Sequence, residues 1–118
     1  MLISDEEWSA VSTFADDAPE TRLRRGRNRV DRRAALSGIV DIITGDIAWR
    51  ALPTERYQVS GNTCWRQFRQ WVADGTWISI EFALVHKWLE LGQNERAAAL
   101  MYFADKRIEA AFRRASKG

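Results

Sequence analysis

The chain is poor in several things that would have narrowed its chemistry. It has one cysteine, Cys64, in 118 residues, so no internal disulfide can form. It has one histidine, His86, with no cysteine or carboxylate constellation around it, so a histidine-based metal site is not expected. Paired carboxylates in a catalytic spacing and a glycine-rich phosphate loop are both missing, so no enzyme is read here and no cofactor is expected. Strand-like alternation and internal repeats are absent. There is no long apolar run and no charged leader, so neither a membrane span nor a signal peptide is expected, and the cytoplasm, on the nucleoid, is the expected compartment.

What is present is arginine, unevenly placed. Of the eighteen bases, fifteen are arginine and three lysine. Residues 1–20 carry six acids and no base, whereas residues 22–33 carry seven arginines and one acid. The net charge of +2 conceals this break. Arginine presents a planar fork that suits phosphate and guanine edges. The segment reads as a basic arm on a folded domain, suited to a nucleic-acid backbone or minor groove. A solvated linker is the plainer use, and GC-rich codons would also favour arginine.

The rest reads as helix. Ser4-Asp5-Glu6-Glu7 is a capping box opening a short helix with Trp8 and Val11 inward. A second helix spans about Asp31 to Thr44, with Leu36, Ile39, Val40 and Ile43 on one stripe and Gly45 as its C′ residue. A single short helix over 47–52 stops at Pro53, and 54–59 reads as a loop. A further helix runs from about Ser60 or Asn62 to Asp74. With Phe68 at the centre of its wheel, Cys64, Trp65, Trp71 and Val72 face inward. Thr63, Arg66 and Gln70 face away, flanked by Asn62, Gln67 and Arg69, and none of these six is acidic. Thr76 to Leu91 carries two apolar stripes, Trp77-Ile80-Leu84-Trp88-Leu91 and Ile78-Phe82-Val85-Leu89, so it is expected to be central or covered by a partner. The last helix, from Asn94 to about Ser116, spaces Ala97, Met101, Ala104, Ile108, Ala111 and Ala115 as a heptad seam. That seam, with Phe112 beside it, suits a homodimer, although docking back onto the preceding helix explains it almost as well. Six tryptophans promise an aromatic core, with Cys64 a small member of it.

The fold class is therefore all-α, with a tri-helical helix-turn-helix (homeodomain-like) core, an N-terminal helix, a basic arm and additional C-terminal helices. Residues 1–91 form the DNA-binding domain and 92–118 a C-terminal helix. The expected partner is double-stranded DNA. The arm residues Arg22, Arg24, Arg25, Arg27, Arg29, Arg32 and Arg33 would grip it. Asn62, Thr63, Arg66, Gln67, Arg69 and Gln70 would read base edges, since arginine pairs with guanine and glutamine or asparagine with adenine. An ordinary solvated helix face is the bland alternative.

Several short motifs then carry a resemblance. Asp5-Glu6-Glu7-Trp8, Arg24-Arg25-Gly26-Arg27, Asp31-Arg32-Arg33, Gly38-Ile39, Thr44-Gly45, Trp49-Arg50-Ala51-Leu52-Pro53, Trp65-Arg66-Gln67-Phe68-Arg69-Gln70-Trp71 and Asp74-Gly75-Thr76-Trp77 follow in register over about residues 4–90. Together they resemble the N-terminal DNA-binding domain of bacterial insertion-sequence transposases, whose catalytic domain is a DDE RNase H-like fold. The resemblance implies recognition of element ends through the arm around Arg24–Arg29 and the helix containing Arg66 and Arg69. Two departures stand out. Asn28 replaces the family's usual proline, and Asn94–Gly118 is a charged, alanine-rich helix where the family has an Asp-containing strand. A protein that cannot transpose alone is expected, acting as a transcription regulator or nucleoid-associated factor. A truncated product competing for element ends and a protein-interaction module without DNA binding are the other readings.

Overall fold

The computed structural model describes residues 2–15 and 31–117, with side chains to residue 113. All regular structure among the described residues is helical. Helix α1 (Asp5–Ala15) starts on the capping box. The backbone N–H of Ser4 donates to Glu7 Oε1 at 2.9 Å, and that of Glu7 donates back to Ser4 Oγ at 3.1 Å. Helix α2 (Arg32–Gly45) is capped by Asp31, whose carboxylate accepts from the Ala34 N–H. Its left-handed terminal residue is Asp46, at φ 53°, rather than the expected Gly45.

The next stretch departs from the sequence reading. Only Trp49–Ala51 is helical where a helix over 47–52 was expected, and it is 3-10. Thr54–Tyr57, expected as loop, forms a single turn, α3. Four residues are too few for a periodic signal, and Gln58 in the left-handed region ends the turn. Helix α4 (Gly61–Ala73) begins at Ser60, whose hydroxyl accepts from the Thr63 N–H at 3.0 Å. Helix α5 (Thr76–Glu90) follows Gly75, and α6 (Asn94–Lys117) follows Gly92, both glycines left-handed. An L side chain at either would strain the turn.

The core lies where α2, α4, α5 and α6 meet, with α1 against α5 and α2. Trp77, Trp88, Phe68, Leu36, Ile39 and Leu84 are almost wholly buried in it. The ring of Phe68 meets Trp77 edge-on at 5.1 Å. Two glycines allow the closest approaches. A Cβ on Gly38 would come within 2.7 Å of Cys64 Sγ, where α2 crosses α4. One on Gly61 would lie 1.8 Å from the carbonyl oxygen of Trp49, so the first residue of α4 is pressed against the 3-10 helix.

The C-terminal seam is largely consumed within the chain. Ala97, Leu100 and Ala104 are wholly buried, and Ile108 packs on the same core. Of the residues read as a dimer surface, Ala97 and Ala104 are thus taken up in the chain's own core, as the docking alternative expects, while Met101 and Phe112 stand exposed. The two apolar stripes of α5 are covered unequally. Trp77, Ile80, Leu84 and Trp88 of the first are buried, with Leu91 at its end exposed. Of the second, Val85 is buried while Ile78, Phe82 and Leu89 remain exposed, with His86 against the Phe82 ring at 4.5 Å. Among the described residues, nothing covers the face of α5 that carries Ile78, Phe82 and Leu89.

Candidate nucleic-acid interface

Helix α4 carries the face on which the sequence placed base reading. Asn62, Arg66 and Gln70 are exposed, and Thr63 and Arg69 are half-exposed. Among the described residues, the side chains of Asn62, Arg66 and Gln70 have no hydrogen-bond or ion-pair partner. Thr63 is partly engaged, since its hydroxyl oxygen accepts from Ser60 Oγ at 3.0 Å. No acid lies on this helix.

Two residues sit differently from their sequence assignment. Gln67, expected at the edge of the polar face, is only 7% exposed. Trp65, expected inside, is half-buried at the rim. Both corrections have one cause. The buried residues Gly61, Cys64, Gln67, Phe68 and Trp71 span an arc whose centre lies roughly 40° round from Phe68, at about 100° per residue. A wheel centred on the largest apolar residue misses this rotation, because α4 packs against α2, α5 and the 3-10 helix together. Gln67 turns inward and Trp65 outward.

Of the basic arm, Arg22, Arg24, Arg25, Arg27 and Arg29 lie outside the described residues. Arg32 and Arg33 begin α2, and both are engaged by the protein itself. Arg33 pairs with Asp5 at 2.8 Å and donates to the carbonyl oxygen of Ile3 at 2.8 Å. Its first structural duty is thus to hold the N-terminal residues on α2.

Sequence reasoning missed a cluster beside α4. Trp49, Arg50, Asn62 and Trp65, with Ala48, line an open cleft of about 300 Å³. Arg69 lies over the Trp65 ring at 4.9 Å, and Arg107 over the Trp49 ring at 5.4 Å. Arg107 is itself fixed by Asp46 at 3.2 Å and by the Ile47 carbonyl at 2.8 Å. Trp49-Arg50 and Trp65-Arg66 are both tryptophan–arginine pairs in the sequence, a visible signal, but their convergence needs the fold.

A second polar cluster, also unforeseen, holds the frame behind this face. Glu7 is almost fully buried. It accepts from Trp88 Nε1 at 2.6 Å and from Arg96 at 2.8 Å. Burial pushes its carboxyl up, but the Ser4 and Trp88 hydrogen bonds and the Arg96 charge outweigh this and hold it below the ordinary value. Cys64 is buried, its thiol is pushed up to about 11 by that burial, and it donates weakly to the Ala35 carbonyl at 3.6 Å. A thiol so placed is packing rather than a nucleophile. The described residues hold no group of three or more His, Cys, Asp or Glu suited to a metal ion. No helix among them is long and apolar enough to cross a membrane.

Comparison with known proteins agrees with the motif pattern. Residues 3–80 match the family described as "Putative transposase of IS4/5 family". A Burkholderia cepacia protein, "Insertion element IS402 uncharacterized 16.2 kDa protein", is 37% identical over 87 residues, 73% of this chain. The chain spans 59% of the length of that relative. No solved structure matches this chain.

Proposed function

This chain belongs to the IS4/5-type transposase family, and from that membership we propose that it binds double-stranded DNA sequence-specifically through α4. The observation that carries the reading is the outward face of α4. Asn62, Arg66 and Gln70 stand exposed and without a side-chain partner among the described residues, with Arg69 beside them and no acid on the helix. Unengaged arginine, asparagine and glutamine on one helix face match the donor and acceptor pattern of major-groove edges. The element order α2, short turns, α4 fits a helix-turn-helix in which α4 enters the groove and α2 supports it. The arginines of 22–29 would add backbone affinity.

No reaction is assigned to these residues. Occupancy of DNA is the activity, and its use is transcription regulation or organisation of the nucleoid. Selection of bound duplexes from a random library tests the binding itself: a recovered common motif supports the proposal, and a pool that stays random overturns it. A genome-wide occupancy map tests the use. Peaks at promoters support regulation, whereas peaks confined to insertion-element ends point to competition with a transposase for those ends.

A further inference from the structure

The cleft beside α4 is built for a flat guest. Trp49 comes from the 3-10 helix and Trp65 from α4, and both remain partly exposed although the chain has a large aromatic core. Each indole is braced. Trp49 packs on Phe68 at 5.6 Å and under Arg107, while Trp65 lies under Arg69. The contact of Gly61 with the Trp49 carbonyl locks the two supporting elements together, so the walls are set by backbone packing. Its volume of about 300 Å³ sits at the small end of ligand pockets and equals the liquid share of about ten waters. That suits one heterocycle.

The polar lining is equally specific. Among the described residues, Arg50 and Asn62 have no side-chain partner and no acid lines the cleft. A guanidinium and a carboxamide together offer donors and an acceptor to the edge of a planar ring whose faces stack on indole. Asn62 belongs both to this cleft and to the outward face of α4. A base turned out of a duplex lying on that face would meet the cleft while still joined to its strand.

We infer that the Trp49–Trp65 cleft receives a single unpaired nucleobase of the bound DNA, stacked on indole and held at its edge by Arg50 and Asn62. The source of the base rests on the duplex-binding reading above, whereas the stacking chemistry does not. The test uses the full chain and three labelled duplexes of one sequence: fully paired, with one bulged base, and with an abasic residue at the bulge. A short single-stranded oligonucleotide completes the set, all followed by fluorescence anisotropy. The bulged duplex is expected to bind about tenfold more tightly than the paired one, the size of one base–aromatic stack, and the abasic bulge to lose that advantage. Trp65→Ala and Arg50→Ala should each return the bulged duplex toward the paired value and leave paired-duplex binding nearly unchanged. Should Trp65→Ala not fold, the exposed Arg50 decides alone. Equal affinity for bulged and paired duplexes overturns the inference. So does an advantage kept by the abasic bulge, or one surviving Arg50→Ala. Binding of the single strand, sensitive to Arg50→Ala, without any paired-duplex binding removes the duplex reading and leaves the cleft standing. Binding of neither overturns both.

Discussion

The carboxylate of Glu7 accepts a hydrogen bond from the indole nitrogen of Trp88 across 81 positions of the chain, at 2.6 Å. The same oxygen takes Arg96 at 2.8 Å. One acid thereby joins α1, α5 and α6, and it is also the closing half of the α1 capping box. Removing it is expected to do more than fray a helix. Glu7→Ala leaves Arg96, whose side chain is only 17% exposed, without its counter-charge. A loss of about 3 kcal/mol in urea unfolding is expected, near the low end for breaking a buried pair. Glu7→Gln, which keeps an acceptor for Trp88, should cost less.

Two of the groups that shape the pH dependence act with opposite sign, and the raised Cys64 thiol adds to the alkaline side. The folded state holds the Glu7 carboxyl below its ordinary value of 4.5, so its stabilisation is complete above that value and fades as pH falls through the lowered one. Tyr57 behaves conversely. Burial and its hydrogen bond to Asp41 push the phenol up from 10 to about 12, so its contribution is complete below pH 10 and is lost as pH rises through 12. Unfolding midpoints measured across both ranges should fall at both ends, and Tyr57→Phe should flatten the alkaline fall.

Duplex binding is expected to weaken steeply with salt. Neutralising about five to seven phosphates gives a slope of roughly −5 to −6 in log K against log salt. Arg66→Ala should cost about 1–3 kcal/mol on a preferred site and little on random DNA. Arg25→Ala with Arg27→Ala should weaken both. Anisotropy titrations on the two duplexes distinguish the roles, and equal losses for Arg66→Ala on both would remove α4 from base reading.

Gly61→Ala is expected to destabilise by about 3 kcal/mol or more, because its Cβ would fall 1.8 Å from the Trp49 carbonyl oxygen. Either α4 or the 3-10 helix must shift, so DNA binding should suffer in whatever fraction still folds. Thermal unfolding and anisotropy together check this.

Ending the chain at Leu91 is expected to unfold it, since Ala97, Leu100 and Ala104 fill the core. Leu100→Ala alone should cost about 2–5 kcal/mol. Any self-association through α6, one of the two uses its seam suggested, then rests on Met101 and Phe112. Sedimentation equilibrium of the whole chain against Met101→Asp with Phe112→Asp checks it, the double variant being the monomer.

Signals that act within a few residues were legible in the sequence. Ser4 with Glu7, Asp31 before α2, Ser60 before α4 and Gly75 before α5 mark helix starts by local hydrogen bonding or backbone freedom, and the structure uses each. The face of α4 was legible to within one residue on either side, because Arg66 and Gln70 stay opposite Phe68, with Asn62 beside them, however the wheel is turned slightly. What stayed hidden depends on partners distant in sequence. Gln67 is buried and Trp65 uncovered by three neighbours arriving together. The joining of Glu7 to Trp88 and Arg96, and the convergence of Trp49-Arg50 on Asn62 and Trp65, have no local pattern to betray them.

The unequal burial of the tryptophans gives the protein two sets of optical reporters. Trp71, Trp77 and Trp88 are buried, whereas Trp49 and Trp65 stand half-buried at the cleft beside α4 and Trp8 is half-buried on α1. The sheltered indoles should emit toward the blue and lose that position only when the core opens. The half-buried indoles should be quenched before these by a dissolved agent such as acrylamide, and a molecule seated on the α4 face should shield the cleft pair while leaving Trp8 as accessible as before. Emission wavelength and quencher access therefore follow unfolding and occupancy separately, in the unlabelled chain.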